Sequence, residues 1–456
     1  MTMQKLDELL EVADGVVAAA RKAGADVAEA TVRGGSHLST KVRLREPELV
    51  EEAGSRSLGL RVMLGQQVAV TYTSDFSAAG RARLVEDVIE LAKLSQPDPF
   101  AGPPDPSKLS KPEQHVDLDV YDPKMDALTA AEALVRAKDG EDAALNYDPR
   151  ITNSEGATFT RASGESVLVT SGGFRGTTRG TYASLVVSPV ADDADGKKRS
   201  GYHWAAKRHL AELEEARGVG EEAARRTLRK LGASKIASCE MPVVFDPDTA
   251  RSLLGLLASC VNGGSIWRRS SYLLERLGTK VASDLVTVID DPLIPKAPGS
   301  RPFDGEGLLS RRNVVVENGV LRTYLMDTYA AKKLSMESTA SASRGSSGGV
   351  GASTTNFVLQ PGTISREQLL KDTKRGLYVT EMMGFGFNAV TGDFSRGASG
   401  FLIEDGELTQ PVSEVTISLN LDEILQRIDA VANDLDLRTS TASPTFRVSA
   451  MTIAGK

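Results

Sequence analysis

The sequence is poor in the two residue types that most often build metal and nucleophile sites. Among its 456 residues are only four histidines and two cysteines. They are His37, His115, His203, His209, Cys239 and Cys260. No two histidines have the H-E-x-x-H spacing that places two ligands on adjacent helical turns, and neither cysteine has a histidine close to it in sequence. From its own residues, the chain is expected to contain no metal ligand and no catalytic residue.

Other absences narrow the class of protein further. No stretch approaches the roughly 20 apolar residues that a membrane-spanning helix needs. The first residues lack the basic and apolar regions of a secretion signal, and two cysteines in apolar surroundings suit a reducing compartment, so a cytoplasmic location is expected. The G-x-S-x-G elbow, the Walker phosphate loop and the dinucleotide G-x-G-x-x-G motif are missing. Lys and Arg total 54 against 61 Asp and Glu, a balance of 54 − 61 = −7, which does not suggest nucleic-acid binding.

The first half of the sequence alternates helix-like and strand-like segments. Apolar residues at helical spacing predict helices over residues 3–22 and 77–94, with strand-like segments between them. Six prolines within residues 97–112 predict a linker or a loop that lies over the surface. A long charged helix is predicted over residues 203–230, with a domain boundary near residue 235. We therefore expect an N-terminal α+β domain over residues 1–235, with helices on one face of a sheet.

The second half, residues 236–456, has many short β-type runs separated by glycine. Asn318-Gly319 and Asp405-Gly406 stand between such runs, and these dipeptides are strong hairpin signals. The expected C-terminal domain is a mainly antiparallel sheet or barrel with a few helices. One helix is expected over residues 248–261, with an aspartate as N-cap and Asn262-Gly263 as C-cap. The fold class predicted for the whole chain is α+β.

The most distinctive passage covers residues 381–406, in which five glycines fall within the first twenty positions. Glycine lets a backbone approach another backbone or a ligand closely. Exposed N–H and C=O groups there could pair with an extended peptide by strand addition. A tight loop that only closes the sheet explains the same residues, and composition does not separate the two interpretations.

Several passages together resemble one known family. They are residues 57–63, 263–274, 302–307, 329–334, 384–417, 431–434 and 453–455. The combination is specific, covers nearly the whole chain and is similar to the TldD/PmbA family, in particular its TldE/PmbA branch. That resemblance implies a two-domain α+β protein that works as a dimer. It also implies that the TldD-type sister is a zinc peptidase with an H-E-x-x-x-H helix and a late cysteine, and that the pair trims unfolded peptides, including precursors of peptide antibiotics.

This chain departs from the peptidase pattern where the chemistry would need it. In the resemblance, the positions that match H-E-x-x-x-H are residues 255–260, which read Gly-Leu-Leu-Ala-Ser-Cys, and the late cysteine corresponds to Ser443. One thiol cannot replace the three protein ligands of a hydrolytic zinc site. No cofactor is therefore expected in this chain, and zinc is expected in the TldD-type partner.

The resulting prediction is a non-catalytic subunit that pairs with a TldD-type peptidase or with itself and holds an extended peptide. The residues predicted to contact substrate or partner are Gly384, Asn388, Thr391, Gly392, Asp393, Ser395, Arg396 and Gly397. Arg396 could bind a carboxylate in a bidentate way, or Asp393 and Arg396 could hold the loop together. One alternative is a homodimeric peptide-binding or chaperone-like protein. Another, a hydrolase using Ser395, lacks a histidine base in the C-terminal half.

Overall fold

The structure, a computed structural model, describes residues 6–194 and 196–456. Its helices are α1 (Leu6–Lys22), α2 (Ala78–Leu94), α3 (Pro123–Asp126), α4 (Ala130–Leu145), α5 (Ala216–Leu228), α6 (Pro247–Cys260), α7 (Gly263–Trp267), α8 (Thr328–Leu334), α9 (Arg366–Lys371) and α10 (Leu421–Gln426). Its strands are β1 (Val27–Arg43), β2 (Glu46–Leu64), β3 (Gln67–Thr73), β4 (Ile151–Thr170), β5 (Arg175–Asp192), β6 (Lys198–Ser200), β7 (His203–Lys207), β8 (Cys239–Phe245), β9 (Val288–Asp290), β10 (Asn313–Glu317), β11 (Val320–Leu321), β12 (Ala342–Arg344), β13 (Val350–Ala352), β14 (Phe357–Leu359), β15 (Arg375–Met383), β16 (Asp393–Glu404), β17 (Glu407–Asn420), β18 (Ile428–Val431), β19 (Thr441–Ala442) and β20 (Phe446–Ala454).

The N-terminal half is an antiparallel sheet with helices on one face. The strand order is β3-β2-β1-β4-β5-β6, and β7 pairs with β5. Alternate residues of each strand face the helices, so α1 and α2 pack on one end of that face and α4 and α5 on the other. The helix predicted over residues 77–94 is confirmed as α2, with Ser77 accepting a hydrogen bond from the Gly80 N–H. The helix predicted over residues 3–22 is α1 from Leu6, and residues 3–5 lie outside the described residues.

The single long helix predicted over residues 203–230 is wrong. Its first part is strand β7, which pairs with β5 and buries His203 and Ala205 on one side. A short 3₁₀ turn follows, and α5 begins only at Ala216. The alanines and charges of this segment favour a helix locally, but pairing with the open edge of a long sheet outweighs a propensity of a few tenths of a kcal/mol per residue.

The C-terminal half is built around a small closed barrel. The strand order is β17-β16-β15-β8-β20-β18, and the barrel closes because β17 also pairs with β20. The β8–β15 pair is parallel and its neighbours are antiparallel. Inward side chains such as Val243, Leu377 and Ile453 fill the interior. The hairpins predicted at Asn318-Gly319 and Asp405-Gly406 are confirmed, since these residues join β10 to β11 and β16 to β17.

These elements confirm the predicted α+β class, with a helix-and-sheet N-terminal half and a mainly β C-terminal half. The boundary near residue 235 stays a prediction. The proline-rich stretch 97–112 contains irregular backbone and a 3₁₀ turn, and the Ser110 N–H donates to the Gly307 carbonyl at 2.9 Å, so it reaches across to the C-terminal half. Within the described residues, every helix is too short or too polar to cross a bilayer.

A buried ion pair joins the two halves. Glu29 of β1 accepts a hydrogen bond from Arg344 of β12 at 2.7 Å and one from Arg61 of β2 at 3.0 Å. Arg344 also donates to the carbonyls of Gly305 and Gly348. Burial opposes the charge on Glu29, but Arg344 and Arg61 outweigh it and hold the pKa of the carboxyl below its usual value. Every group of this pair is thus hydrogen-bonded, as a buried charge requires.

A second buried carboxylate, that of Glu306, accepts hydrogen bonds from the first residue of α8. The Glu306 Oε2 atom accepts hydrogen bonds from the Thr328 N–H at 2.9 Å and from the Thr328 hydroxyl at 2.7 Å. Burial, helped by the charge of neighbouring Asp304, raises the pKa of Glu306 to about 8. Glu306 is therefore largely protonated at neutral pH, in contrast to Glu29.

The Glu29→Gln substitution should destabilise the protein by about 3–5 kcal/mol, because it leaves the Arg344 guanidinium buried without a counter-charge. Denaturant unfolding compares this variant with Glu48→Gln, which removes an exposed partner of Lys41 and should leave the midpoint unchanged. Equal midpoints for the two variants would show that the buried pair does not hold the halves together.

The Glu306→Gln substitution should make the protein less sensitive to rising pH. The pKa of Glu306 is higher folded than unfolded, so its contribution to stability is complete below about pH 4.5 and is lost as pH rises towards 8. Between pH 6 and 8 the wild type should lose roughly 2 kcal/mol relative to this variant. The measurement is denaturant unfolding at both pH values, with Glu337→Gln, an exposed partner of Lys108, expected to follow the wild type. A constant difference between wild type and Glu306→Gln would refute the assignment.

Candidate functional site

Helix α6 carries the positions at which the family resemblance places a zinc motif. Its N-cap is Asp246, whose side chain accepts a hydrogen bond from the Thr249 N–H at 2.8 Å. This agrees with the aspartate N-cap predicted from the sequence. Leu253, Leu257 and Cys260 form its buried face. The predicted C-cap is wrong: Val261 ends α6, and Asn262 instead begins α7 by accepting from the Gly264 N–H. Asn262 serves as the N-cap of α7 rather than as the C-cap of α6, because an Asn side chain is a favourable N-cap.

The residues present on α6 do not fit a zinc ion. The only thiol, Cys260, is fully buried, and burial raises its pKa, so it is held as the neutral thiol rather than the thiolate that binds metal. A side chain at Gly255 would meet no atom within 4 Å, so the helix has room there but no donor. Ser443 is buried and donates to the Pro444 carbonyl. In residues 6–194 and 196–456, no three His, Cys, Asp or Glu side chains form a group that could hold a metal ion.

The glycine-rich passage forms the loop between β15 and β16, residues 384–392, together with the start of β16. The Asn388 side chain accepts from the Val390 N–H at 3.0 Å, and the Asn388 N–H donates to the Asp393 carbonyl. The Thr391 hydroxyl donates to the Asp393 carboxylate at 2.6 Å. Asn420 donates to the Thr391 carbonyl at 2.8 Å. The polar side chains predicted to bind a ligand are therefore also engaged with one another.

Two glycines are required for this loop to form. Gly392 has a φ of +81°, and a Cβ atom there would lie 2.6 Å from the Asn420 side chain. A Cβ atom at Gly386 would lie 1.8 Å from the Ser395 carbonyl oxygen. Only glycine allows both the left-handed backbone and this close approach. Gly384 also has a positive φ, of +84°, but lies in open space.

Ser395, Arg396 and Gly397 lie in β16, which pairs with β17 on one side; on the other side it pairs with β15 from Gly397 onward and with loop residues 386–388 before it. Both edges of this strand are occupied, so an extended peptide cannot add to the sheet here. Within the described chain, Arg396 forms no ion pair with Asp393 and lies 5.7 Å from the Phe394 ring, with its buried Nε atom unbonded. The two residues therefore do not stabilise the loop as a pair: Asp393 is hydrogen-bonded within the loop, and Arg396 is not.

The structure brings the loop to the C-terminal end of α6. The Ala389 carbonyl accepts a hydrogen bond from the Tyr272 N–H at 2.8 Å. The neighbouring Ser271 hydroxyl donates to the Cys260 carbonyl at 2.7 Å. Segment 263–274, which the resemblance also picked out, thus connects the two parts of the candidate site.

Sequence reasoning missed the most exposed apolar residue of this region. Phe385 is 98% exposed at the tip of the loop, and Met383 and Val390 beside it are 52% and 56% exposed. Large apolar side chains grouped on a surface indicate an interaction site. The signal available in the sequence was an aromatic residue between two glycines, Gly384 and Gly386, which have no side chain to cover it.

Three family models match consecutive parts of the chain. PmbA/TldA metallopeptidase domain 1 matches residues 28–92, the central domain matches residues 123–231, and the C-terminal domain matches residues 238–455. Fold and matched segments together place the chain among the proteins of a metallopeptidase family.

Relatives that match nearly the whole chain show to which branch of this family it belongs. The chain is 34% identical to the metalloprotease PmbA of Escherichia coli O157:H7, covering 98% of this chain and 94% of that protein. It is 36% identical to a metalloprotease PmbA homolog of Haemophilus influenzae, covering 98% and 96%. The chain belongs to the PmbA/TldD family, in its PmbA branch.

Solved structures share the same fold. A Bacteroides thetaiotaomicron protein, described as a candidate modulator of DNA gyrase, superposes with a TM-score of 0.92 at 29% identity, covering 99% of both chains. TldE from Thermococcus kodakarensis superposes with a TM-score of 0.89 at 22% identity, covering 97% of this chain and all of that one. The second likeness concerns the fold alone.

Proposed function

We propose that this protein is the non-catalytic subunit of a cytoplasmic TldD/TldE-type metallopeptidase that cleaves unfolded peptides. The observation that carries the proposal is the set of residues on α6, Gly255 to Cys260, in a chain of the PmbA branch. A hydrolytic zinc site needs three protein ligands and a bound water, and this helix offers one neutral, buried thiol. The zinc and the hydrolytic chemistry would then belong to a TldD-type partner.

The loop between β15 and β16 is the proposed contact with an extended peptide or with the partner. The residues involved are Gly384, Asn388, Thr391, Gly392, Asp393, Ser395, Arg396 and Gly397, and we add Phe385 to them. Since both edges of β16 are paired, contact would be made by the loop backbone and by side chains. The exposed ring of Phe385 would supply most of the buried apolar area.

A homodimeric peptide-binding protein without a peptidase partner is the second candidate. The same exposed loop would serve it, because holding a peptide needs no metal. Hydrolysis through Ser395 is less favoured, since no histidine follows position 209 to act as its base.

The test is peptide hydrolysis by this protein alone, by a TldD-type sister alone, and by the two together, each with and without a zinc chelator. We expect activity to appear or rise at least tenfold only in the mixture and to disappear with chelator. Binding of an unfolded peptide by this protein alone, with no effect on the sister, would favour the homodimeric candidate. Chelator-resistant hydrolysis by this protein alone would overturn both.

The Phe385→Ala substitution should weaken the contact without unfolding the chain, because the ring is 98% exposed. Burying a phenylalanine side chain contributes about 1.5–3 kcal/mol, so half-maximal activation of the sister should need roughly 10- to 100-fold more protein. The matched control is Leu94→Ala, which removes another exposed apolar side chain, 80% accessible at the end of α2. Equal activation of the sister by the two variants would show that the loop tip does not take part in the contact.

A further inference from the structure

A cavity of about 350 Å³ lies between the two halves of the molecule, and its lining includes Glu381, three residues before the glycine-rich loop. It is bounded by α5, by the start of α6, by α9 and by the outer face of β15 and β16. Cavities of roughly 300–1,000 Å³ are the usual size of small-molecule sites. Three of its polar side chains, Tyr378, Arg229 and Asp246, have hydrogen-bonding or ion-pairing capacity that no other described residue uses.

Tyr378 points outward from the barrel into the cavity. Its ring is buried and packs with Val244 and Phe401. Tyr378 lines the cavity, and no residue in the part of the chain that the structure describes forms a hydrogen bond with its hydroxyl. Burial raises the pKa of this phenol far from neutrality, so the group remains a hydrogen-bond donor. Buried tyrosine hydroxyls usually have a partner, and a ligand would provide it.

Arg229 differs from the other arginines of the cavity. Arg225 and Arg226 each pair with Glu222 at 2.7 Å, and Arg438 pairs with Asp436 at 2.5 Å. Arg229 contacts no carboxylate among the described residues; its guanidinium lies over the Phe401 ring at 4.5 Å. Burial and the nearby Arg225 lower the pKa of Arg229, against the opposing effects of Tyr378 and Glu222.

Asp246 provides the opposite charge. Its Oδ1 atom accepts from the N–H and the hydroxyl of Thr249, both at 2.8 Å, and its Oδ2 atom has no partner among the described side chains. Burial, together with the charge of Asp248, raises the pKa of Asp246 to about 7 against the bonds from Thr249 and the attraction of Arg226. A bound cation beside Oδ2 would stabilise the ionised carboxylate.

Arg229 and Asp246 line one cavity, yet they do not pair with each other. A purely anionic ligand would leave Asp246 uncompensated, and a purely cationic one would be repelled by Arg229. We propose that this cavity binds a small zwitterion, with its carboxylate on Arg229 and the Tyr378 hydroxyl and its ammonium group on Asp246. The site does not depend on the proposed peptidase role.

The test measures binding to the purified full-length protein by calorimetry, with dialanine as the probe. N-acetyl-dialanine, which lacks the ammonium group, and dialanine amide, which lacks the carboxylate, are the matched ligands. Dialanine should bind and raise the unfolding midpoint, and each blocked form should bind at least tenfold more weakly. Equal binding of either blocked form would overturn the zwitterion class, and the absence of binding by all three would overturn the site.

Two substitutions test whether the ligand binds in this cavity. Tyr378→Phe removes only a hydroxyl that has no partner among the described residues, so the variant should fold normally and bind dialanine at least fivefold more weakly. Arg229→Met should weaken dialanine at least tenfold and leave dialanine amide little changed. The control is Arg217→Met, which changes an exposed arginine near the start of α5 that pairs with Glu221. Binding that survives both cavity substitutions unchanged would overturn the assignment.

Discussion

The buried contact between Glu29 and Arg344 is the constraint on which the arrangement of the two halves depends. Glu29 lies in the helix-covered sheet and Arg344 in the β-rich half, so the Arg344 guanidinium has this counter-charge only when the two halves meet. An unpaired charge in such a position costs several kcal/mol. The pair therefore favours the observed orientation of the halves, in which the cavity lies between α5 and the barrel.

Helix α6 connects the two candidate sites. Its first turn presents Asp246 to the cavity between the halves, and its last turn contacts the segment that holds the glycine-rich loop, through Ser271 and the Cys260 carbonyl. In the family resemblance, the middle of this helix carries the metal motif. Here it carries Gly255, Leu257 and Cys260, of which the last two are buried. The helix thus contributes to the packing, and its residues 255–260 offer a single buried thiol.

The glycine-rich passage contains residues that fit each of the two interpretations its composition allows. Gly386 and Gly392 are structural, because a Cβ atom at either would collide with Ser395 or Asn420. Phe385 is exposed and contributes nothing to the core. Closing the loop tightly with glycine is what displays the aromatic ring, so the structural interpretation and the binding interpretation describe different residues of one element.

The sequence by itself determined the α+β class, the α2 helix, the hairpins at Asn318-Gly319 and Asp405-Gly406, and the lack of donors on α6. These follow from local patterns: periodicity, turn dipeptides and residue identity. Tertiary structure alone decided that residues 203–207 form a strand, that both edges of β16 are paired, and that Arg229, Asp246 and Tyr378 share one cavity. The reason is physical: strand pairing, and the meeting of side chains distant in sequence, depend on long-range packing energies that outweigh local preference and leave no periodic trace in the chain.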